Sequence, residues 1–415
     1  MKNITIELIE AAYNRIKDVV VETPLQFNAE LSKKFHAKIY LKREDLQVVR
    51  SYKIRGAYNK ISSLSVAEKK RGVVCASAGN HAQGVAFSCN KLKIKGNIFM
   101  PSNTPKQKIE RVRLFGDGWI NIIVVGDTFD EACCEAEKFC KKNKAVFVHP
   151  FDDVDVIAGQ GTVGVEIFAQ LSEKPDYIIA PIGGGGLISG LGFYAKEKNS
   201  KLKLIGVEPN GAPSMLAAFE AGKVVTLPHI DKFVDGTAVR TVGKIGFEIA
   251  KKIVDKIFLV SEGRVCQEMI SLYQNNGIVT EPAGALSVAV LEKLGDKIKN
   301  KTVVCVISGG NNDISRYPEI VDRSLVYQGL KHYFIIDFSQ KAGALRKYLN
   351  VVLGPDDDIV LFDYFKKNNR ETGPALVGIE LLKKENLQPL LKRMDKCGFK
   401  YQLLDRKSPL LKFIL

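Results

Sequence analysis

The amino-acid sequence predicts an α/β protein whose parallel sheets are covered on both faces, followed by a smaller α+β domain. Two patterns predict it. Between about residues 35 and 325, short β-branched runs alternate with segments of helical periodicity, the arrangement of parallel strands buried on both faces. Beyond that point the order becomes β-α-β-β-α-β, that of a ferredoxin-like unit. At 415 residues the chain is also too long for one simple core, so two or three domains are expected.

The strands are read in order from their apolar runs. Lys38-Ile39-Tyr40-Leu41 comes first, then Gly72 to Ala76, Lys95 to Met100 and Asn121 to Val125. Tyr177 to Ile182, Lys203 to Val207 and Lys301 to Ile307 follow. Helical periodicity occupies the intervals, as in Thr128 to Asn143, Gly164 to Leu171 and Ser214 to Ala221. Most strands run into a glycine-rich or polar turn that opens a helix. In open α/β sheets that is where ligands bind.

The tail begins with a strand at Lys331 to Phe338, a helix at Gly343 to Leu349 and a strand at Ile359 to Tyr364. A polar turn rich in Asn, Arg and Thr leads to a strand at Ala375 to Glu380, a helix at Leu387 to Cys397 and a closing strand near Tyr401 to Leu404. The expected division is therefore 1–325, with a smaller subdomain at roughly 50–150, and 326–415.

Composition excludes several classes. Hydrophobic content of 46% with 26% charged residues is that of an ordinary soluble protein. No apolar run approaches the roughly 20 residues that cross a bilayer. The first residues lack the apolar core of a signal peptide, and a cytoplasmic protein is expected. The net charge of +15 is spread along the chain without a dense basic run, which argues against nucleic acid and for anionic small molecules. Eight cysteines contain no C-x-x-C pair, and Cys305 lies inside an apolar strand, the pattern of reduced, buried thiols. Five dispersed histidines suggest no metal site.

Four segments carry chemistry. In Ser51-Tyr52-Lys53-Ile54-Arg55-Gly56, Lys53 stands between an aromatic residue and a helix-like run; a neutral lysine amine forms a Schiff base with an aldehyde. Taken alone, such a lysine is more often a solvated helix residue. Gly183-Gly184-Gly185-Gly186-Leu187 follows a strand and enters a helix, exposing backbone N–H groups beside a helix N-terminus, a cradle for phosphate. It is neither a P-loop nor a spaced G-x-G-x-x-G. Ser77-Ala78-Gly79-Asn80-His81 also opens a helix after a strand; its amides and the Ser77 hydroxyl suit a carboxylate, and Asn80 offers an amide to a ring oxygen. Ser308, before Gly309-Gly310-Asn311, places a neutral hydroxyl where it suits an unprotonated pyridine nitrogen. An amine, a phosphate cradle, a carboxylate loop and a hydroxyl for a ring nitrogen are together what a pyridoxal 5′-phosphate enzyme acting on an amino acid requires.

These segments, with Leu41 to Gln47, Phe151-Asp152-Asp153, Ala158 to Thr162 and Glu281-Pro282-Ala283-Gly284-Ala285, occur in the order seen in threonine dehydratases, which the chain resembles over essentially its whole length. These are tryptophan-synthase-β-like, fold-type II enzymes. The tail, with Lys331-His332-Tyr333-Phe334 and Arg370 to Val377, looks like the single ACT-like regulatory domain of the short biosynthetic forms. The resemblance implies that Lys53 is the Schiff-base lysine and catalytic base, and that Asn80 faces the cofactor 3′-oxygen. It implies that Gly183, Gly184, Gly185, Gly186 and Leu187 hold the phosphate and that Ser308 binds the pyridine nitrogen. Ser77, Ala78, Gly79, Asn80 and His81 would take the substrate carboxylate. It further implies L-threonine, and L-serine, as substrate, isoleucine or valine as effector, and a homotetramer.

Two departures from related enzymes bear on activity. Serine racemases of this fold carry a catalytic serine where this chain has Ala78, which disfavours racemisation. Their divalent-metal site would fall on Glu208 and Ala212, but Ser214 stands where its Asp belongs. Two alternatives stay open on the sequence: a catabolic serine/threonine deaminase, and an amino-acid sensor with an inactive core.

Overall fold

The computed structural model describes residues 3–364, 370–405 and 408–414, which form two compact units, residues 1–312 and 313–415. The polar turn expected before the strand at Ala375 lies partly outside the described residues.

Among the described residues, the first unit carries β1 (Leu25–Phe27), β2 (Lys38–Arg43), β3 (Val73–Ala76), β4 (Gly96–Met100), β5 (Ile120–Val124) and β6 (Val146–Phe147). β7 (Tyr177–Pro181), β8 (Lys203–Pro209), β9 (Lys256–Val260) and β10 (Thr302–Ile307) complete it. A six-stranded sheet has the order β1-β2-β10-β7-β8-β9, and a four-stranded sheet the order β5-β4-β3-β6. Every pairing is parallel except that of the short edge strand β1 with β2. The apolar runs are explained by this placement. All six residues of β10 are buried, since the strand lies between β2 and β7 and is covered on both faces.

Local chemistry sets the helix starts. Thr128 and Glu131 form a capping box at the head of helix Phe129–Asn143. Asp153 caps helix Val154–Gln170, accepting from the amides of Asp155 and Val156. That helix begins well before the expected Gly164, because its glycines serve packing. A Cβ on Gly159 would stand 2.5 Å from the Arg55 carbonyl, so this glycine lets the helix lie directly against helix Lys53–Ser62.

The second unit contains β11 (Lys331–Ser339), β12 (Asp358–Tyr364), β13 (Thr372–Glu380) and β14 (Lys400–Leu403), paired antiparallel in the order β12-β13-β11-β14. Helices Ala344–Val351 and Leu387–Lys396 supply the crossovers of the ferredoxin-like order. Phe334, Ile336, Phe338, Tyr348, Val377 and Met394 lie in its core. The unit begins earlier than residue 326. Helix Tyr317–Gln328 belongs to it, since Asp322 pairs with Lys331 at 2.6 Å and Val326 packs against Tyr333 and Leu404.

All eight cysteines are free thiols. Among the described residues no helix is long and apolar enough to cross a membrane.

Candidate active site

Lys53 is the first residue of helix Lys53–Ser62, whose preceding residue, Tyr52, provides no side-chain cap. Its amine donates to the Pro150 carbonyl at 2.8 Å and lies 5.4 Å from the centre of the Tyr52 ring and 5.9 Å from that of Phe151. Desolvation pushes the amine down to about 8, against the opposing pull of Glu281. A lysine in this state keeps a substantial neutral fraction near physiological pH. The solvated-helix alternative fails on this geometry.

The four glycines run from the end of β7 into helix Gly186–Lys198. A Cβ on Gly184 would stand 2.2 Å from the Phe151 ring, and one on Gly186 would stand 2.4 Å from the Gln160 amide oxygen. Gly185 has φ of 98°, in the left-handed region. The helix starts without a side-chain cap, and the carbonyls of Gly184 and Gly185 accept from Gly243 and Ser189. None of the amides from Gly183 to Ile188 donates to another group among the described residues. Backbone donors at a helix N-terminus left uncommitted in this way suit a phosphate.

Asn80 is the first residue of helix Asn80–Leu92, which follows β3. Its amide nitrogen donates to both oxygens of Glu281, at 2.8 and 3.0 Å, and its oxygen accepts from Asn311 at 2.8 Å. Ser308 closes β10 and is 2% exposed; its carbonyl accepts from the Tyr52 amide at 3.2 Å. The Lys53 segment, the Asn80 loop and the Ser308 turn are thus tied together, while Phe151 touches both Lys53 and the glycine loop.

Ser77, Ala78 and Gly79 are half-buried. The Ser77 oxygen accepts from the Gly79 amide at 3.2 Å, which leaves its own O–H as a donor. A Cβ on Gly79 would meet nothing within 4 Å, so the loop borders open space. His81 is 3% exposed, and its Nε2 meets the Val148 carbonyl at 2.8 Å, so Nε2 carries the proton. Burial, then the Lys53 charge, push it down to about 3, and it stays neutral. Burial also lowers His149. Neither imidazole competes with Lys53 for a proton.

Glu208 lies at the end of β8 and is fully buried. It accepts from the amides of Met215 and Leu216 at 2.7 and 2.9 Å, and the Ser214 hydroxyl donates to the Val239 carbonyl. This acid therefore caps helix Ser214–Ala221. Among the described residues no cluster of acidic, His or Cys side chains suits a metal ion.

The contacts through Glu281, Phe151 and Pro150 were invisible as contacts in the sequence, although Phe151 and Glu281 stand in the motifs that carry the resemblance. Glu281 precedes Pro282 at a helix start and reads as a cap, yet its side chain caps nothing and turns to Asn80, 201 positions away.

A family model described as pyridoxal-phosphate dependent enzyme matches residues 16–309, and one described as the C-terminal regulatory domain of threonine dehydratase matches residues 322–414. The biosynthetic L-threonine dehydratase of Halalkalibacterium halodurans is 52% identical over 415 residues, covering 100% of both chains. That of Bacillus subtilis is 53% identical over 412 residues, covering 99% of this chain and 98% of the relative. This chain belongs to the biosynthetic threonine dehydratase family. Among solved structures, the processed threonine deaminase isoform 2 of Solanum lycopersicum matches with a TM-score of 0.72 and 37% identity, over 78% of this chain and 95% of that one. The serine racemase of Dictyostelium discoideum matches at 0.70 and 31%, over 75% and 99%.

As a threonine dehydratase family member the chain is a pyridoxal-phosphate dependent enzyme, and its residues fit that cofactor. The uncommitted amides of the glycine loop match a phosphate, the part-neutral Lys53 amine matches an aldehyde, and the Ser308 turn is joined to the Lys53 segment through the Tyr52 amide and to Asn80 through Asn311.

Proposed function

We propose that this chain dehydrates and deaminates L-threonine to 2-oxobutanoate and ammonia, with Lys53 as the catalytic amine. The observation that carries the reading is the Lys53 amine, brought to about 8 by burial and held on the Pro150 carbonyl between two aromatic rings. Lys53, Asn80, Gly183 to Leu187 and Ser308 would hold pyridoxal phosphate. When bound, that group supplies an electron sink for the substrate α-carbon.

The remaining work belongs to side chains and backbone of this chain. The Ser77 hydroxyl and the amides of the Ala78-Gly79-Asn80-His81 loop, at an uncapped helix N-terminus, take the substrate carboxylate. Lys53 in its neutral form removes the α-proton. Loss of the β-hydroxyl as water leaves an enamine, which tautomerises and is hydrolysed to 2-oxobutanoate and ammonia. The hydrolysis returns the water that elimination removed. His81, neutral and turned to Val148, neither takes the proton nor repels the protonated lysine.

The match of the second unit to a regulatory domain supports feedback control; isoleucine or valine would be the effector and a homotetramer the assembly that carries the coupling, as the family resemblance implies. The biosynthetic names of the relatives support this over the catabolic and sensor alternatives, and support a cytoplasmic enzyme. Purified protein loaded with pyridoxal phosphate should form 2-oxobutanoate from L-threonine and slow on adding isoleucine. A loaded protein inert towards both L-threonine and L-serine would leave only the sensor reading.

A further inference from the structure

Glu281 is a buried acid that the reaction outlined above leaves without a task. It is 4% exposed and occupies the N-cap position of helix Pro282–Ala289, yet makes no capping hydrogen bond. Both its oxygens instead accept from the Asn80 amide nitrogen, at 2.8 and 3.0 Å. At the opposite end of that amide, Asn311 donates to the Asn80 oxygen at 2.8 Å and to the Val49 carbonyl at 2.8 Å. The two ends of Asn80 are therefore distinguished. A flip would set its oxygen against a carboxylate and its NH2 against another NH2.

The surroundings make room for this carboxylate. A Cβ on Gly309 would stand 2.6 Å from Glu281 Oε1, and one on Gly236 would stand 3.2 Å from it. The Glu281 amide also donates to the Gly309 carbonyl at 3.1 Å, which fixes the acid to the Ser308 turn. Asn80 is thereby referenced to the end of β10 rather than to its own helix alone.

We infer that Glu281 is a positioning residue: with Asn311 it sets the rotamer of the Asn80 amide, and through Asn80 it sets how tightly the site grips the cofactor ring. The inference rests on the reading that Asn80 faces that ring. Glu281 does not itself touch the reacting atoms; its effect passes through Asn80. Gln at this position keeps the volume but brings an NH2 group towards Asn80, so the amide loses its single preferred orientation.

A double-mutant cycle tests this. The pyridoxal phosphate dissociation constant of the apo-protein and the visible absorption spectrum of the loaded protein are measured for wild type, Glu281→Gln, Asn80→Ala and the double variant. Glu281→Gln should weaken cofactor binding on the order of tenfold, the scale of one hydrogen bond to a charged group, and shift the spectrum. In the Asn80→Ala background the same change should add nothing. Glu281→Asp, which keeps the charge, should recover part of the loss. Wild-type affinity and spectrum in Glu281→Gln, or two effects that simply multiply, would overturn the inference while leaving the role of Asn80 standing. An Asn80→Ala protein with unaltered affinity and spectrum would instead overturn the reading of Asn80 beneath it.

Discussion

Arg55 and Glu166 meet through two hydrogen bonds, of 2.6 and 2.8 Å, in the interior of the first unit. The same guanidinium binds Glu44 through two more at 2.8 Å, and Lys42 reaches Glu166 at 2.5 Å. Two cations thus balance two anions, all of them 0–3% exposed at the side chain. Arg55 lies two residues into the helix that Lys53 begins, so the quartet locks that helix to β2 and to helix Val154–Gln170. Arg55→Met leaves both glutamates facing a single lysine. We expect a loss of about 3–5 kcal/mol, read as a fall in the urea midpoint of the apo-protein. A midpoint within error of wild type would remove the anchoring role.

Lys53 makes the apo-protein pH-sensitive in a definite direction. Its amine titrates near 8 in the fold and at 10.5 ordinarily, so the unfolded chain binds more protons between these values. Its contribution to stability therefore rises with pH across that window. Capture of pyridoxal phosphate should follow the neutral amine and reach half its maximum near pH 8. A midpoint near 10.5 would mean a solvated lysine.

Gly184→Ala would drive a methyl group into the Phe151 ring, the residue that also flanks Lys53. Overpacking of about 1–3 kcal/mol is expected, and it falls on the phosphate loop. Cofactor affinity should drop by more than global stability, with calorimetric binding and thermal melting as the paired measurements. Equal losses in both would assign the glycine to packing alone.

Glu208 has the opposite sign to Lys53. Burial raises it to about 7 from 4.5, despite the Met215 and Leu216 amides that favour its charged form. The native state therefore holds an extra proton between those values. The stabilisation is complete below pH 4.5 and is lost as pH rises through 7. Glu281, also raised to about 7, shares this direction. Glu208→Gln should flatten the fall in stability over that range, as measured by denaturant titration at successive pH values. An unchanged slope would mean that Glu208 titrates like a solvated acid.

The legible parts of this fold were those written in local pattern. The strands at 38–41, 203–207 and 331–338 declare themselves because both faces, or one whole face, are buried. Ser214–Ala221 and Phe129–Asn143 declare themselves by periodicity and, for the latter, a capping box. β1 and β6 are three and two residues long, too short for any period to show. β9 carries an apolar run like that of its neighbours and was equally readable. The front of helix Val154–Gln170 is hidden by glycines that local propensity assigns to turns, whereas their reason is a neighbouring backbone. In the site, the glycine loop and Lys53 are local signals. The Asn80–Glu281 and Arg55–Glu166 contacts join residues 201 and 111 positions apart, and no local pattern encodes them.

The role proposed for Lys53 is the turnover of L-threonine. Its most direct test is 2-oxobutanoate formation by wild-type and Lys53→Ala proteins, each supplied with pyridoxal phosphate and L-threonine. Wild type should form product and the variant none above the uncatalysed background, with the variant still folded by circular dichroism. A folded Lys53→Ala protein that makes 2-oxobutanoate at a comparable rate would contradict the account.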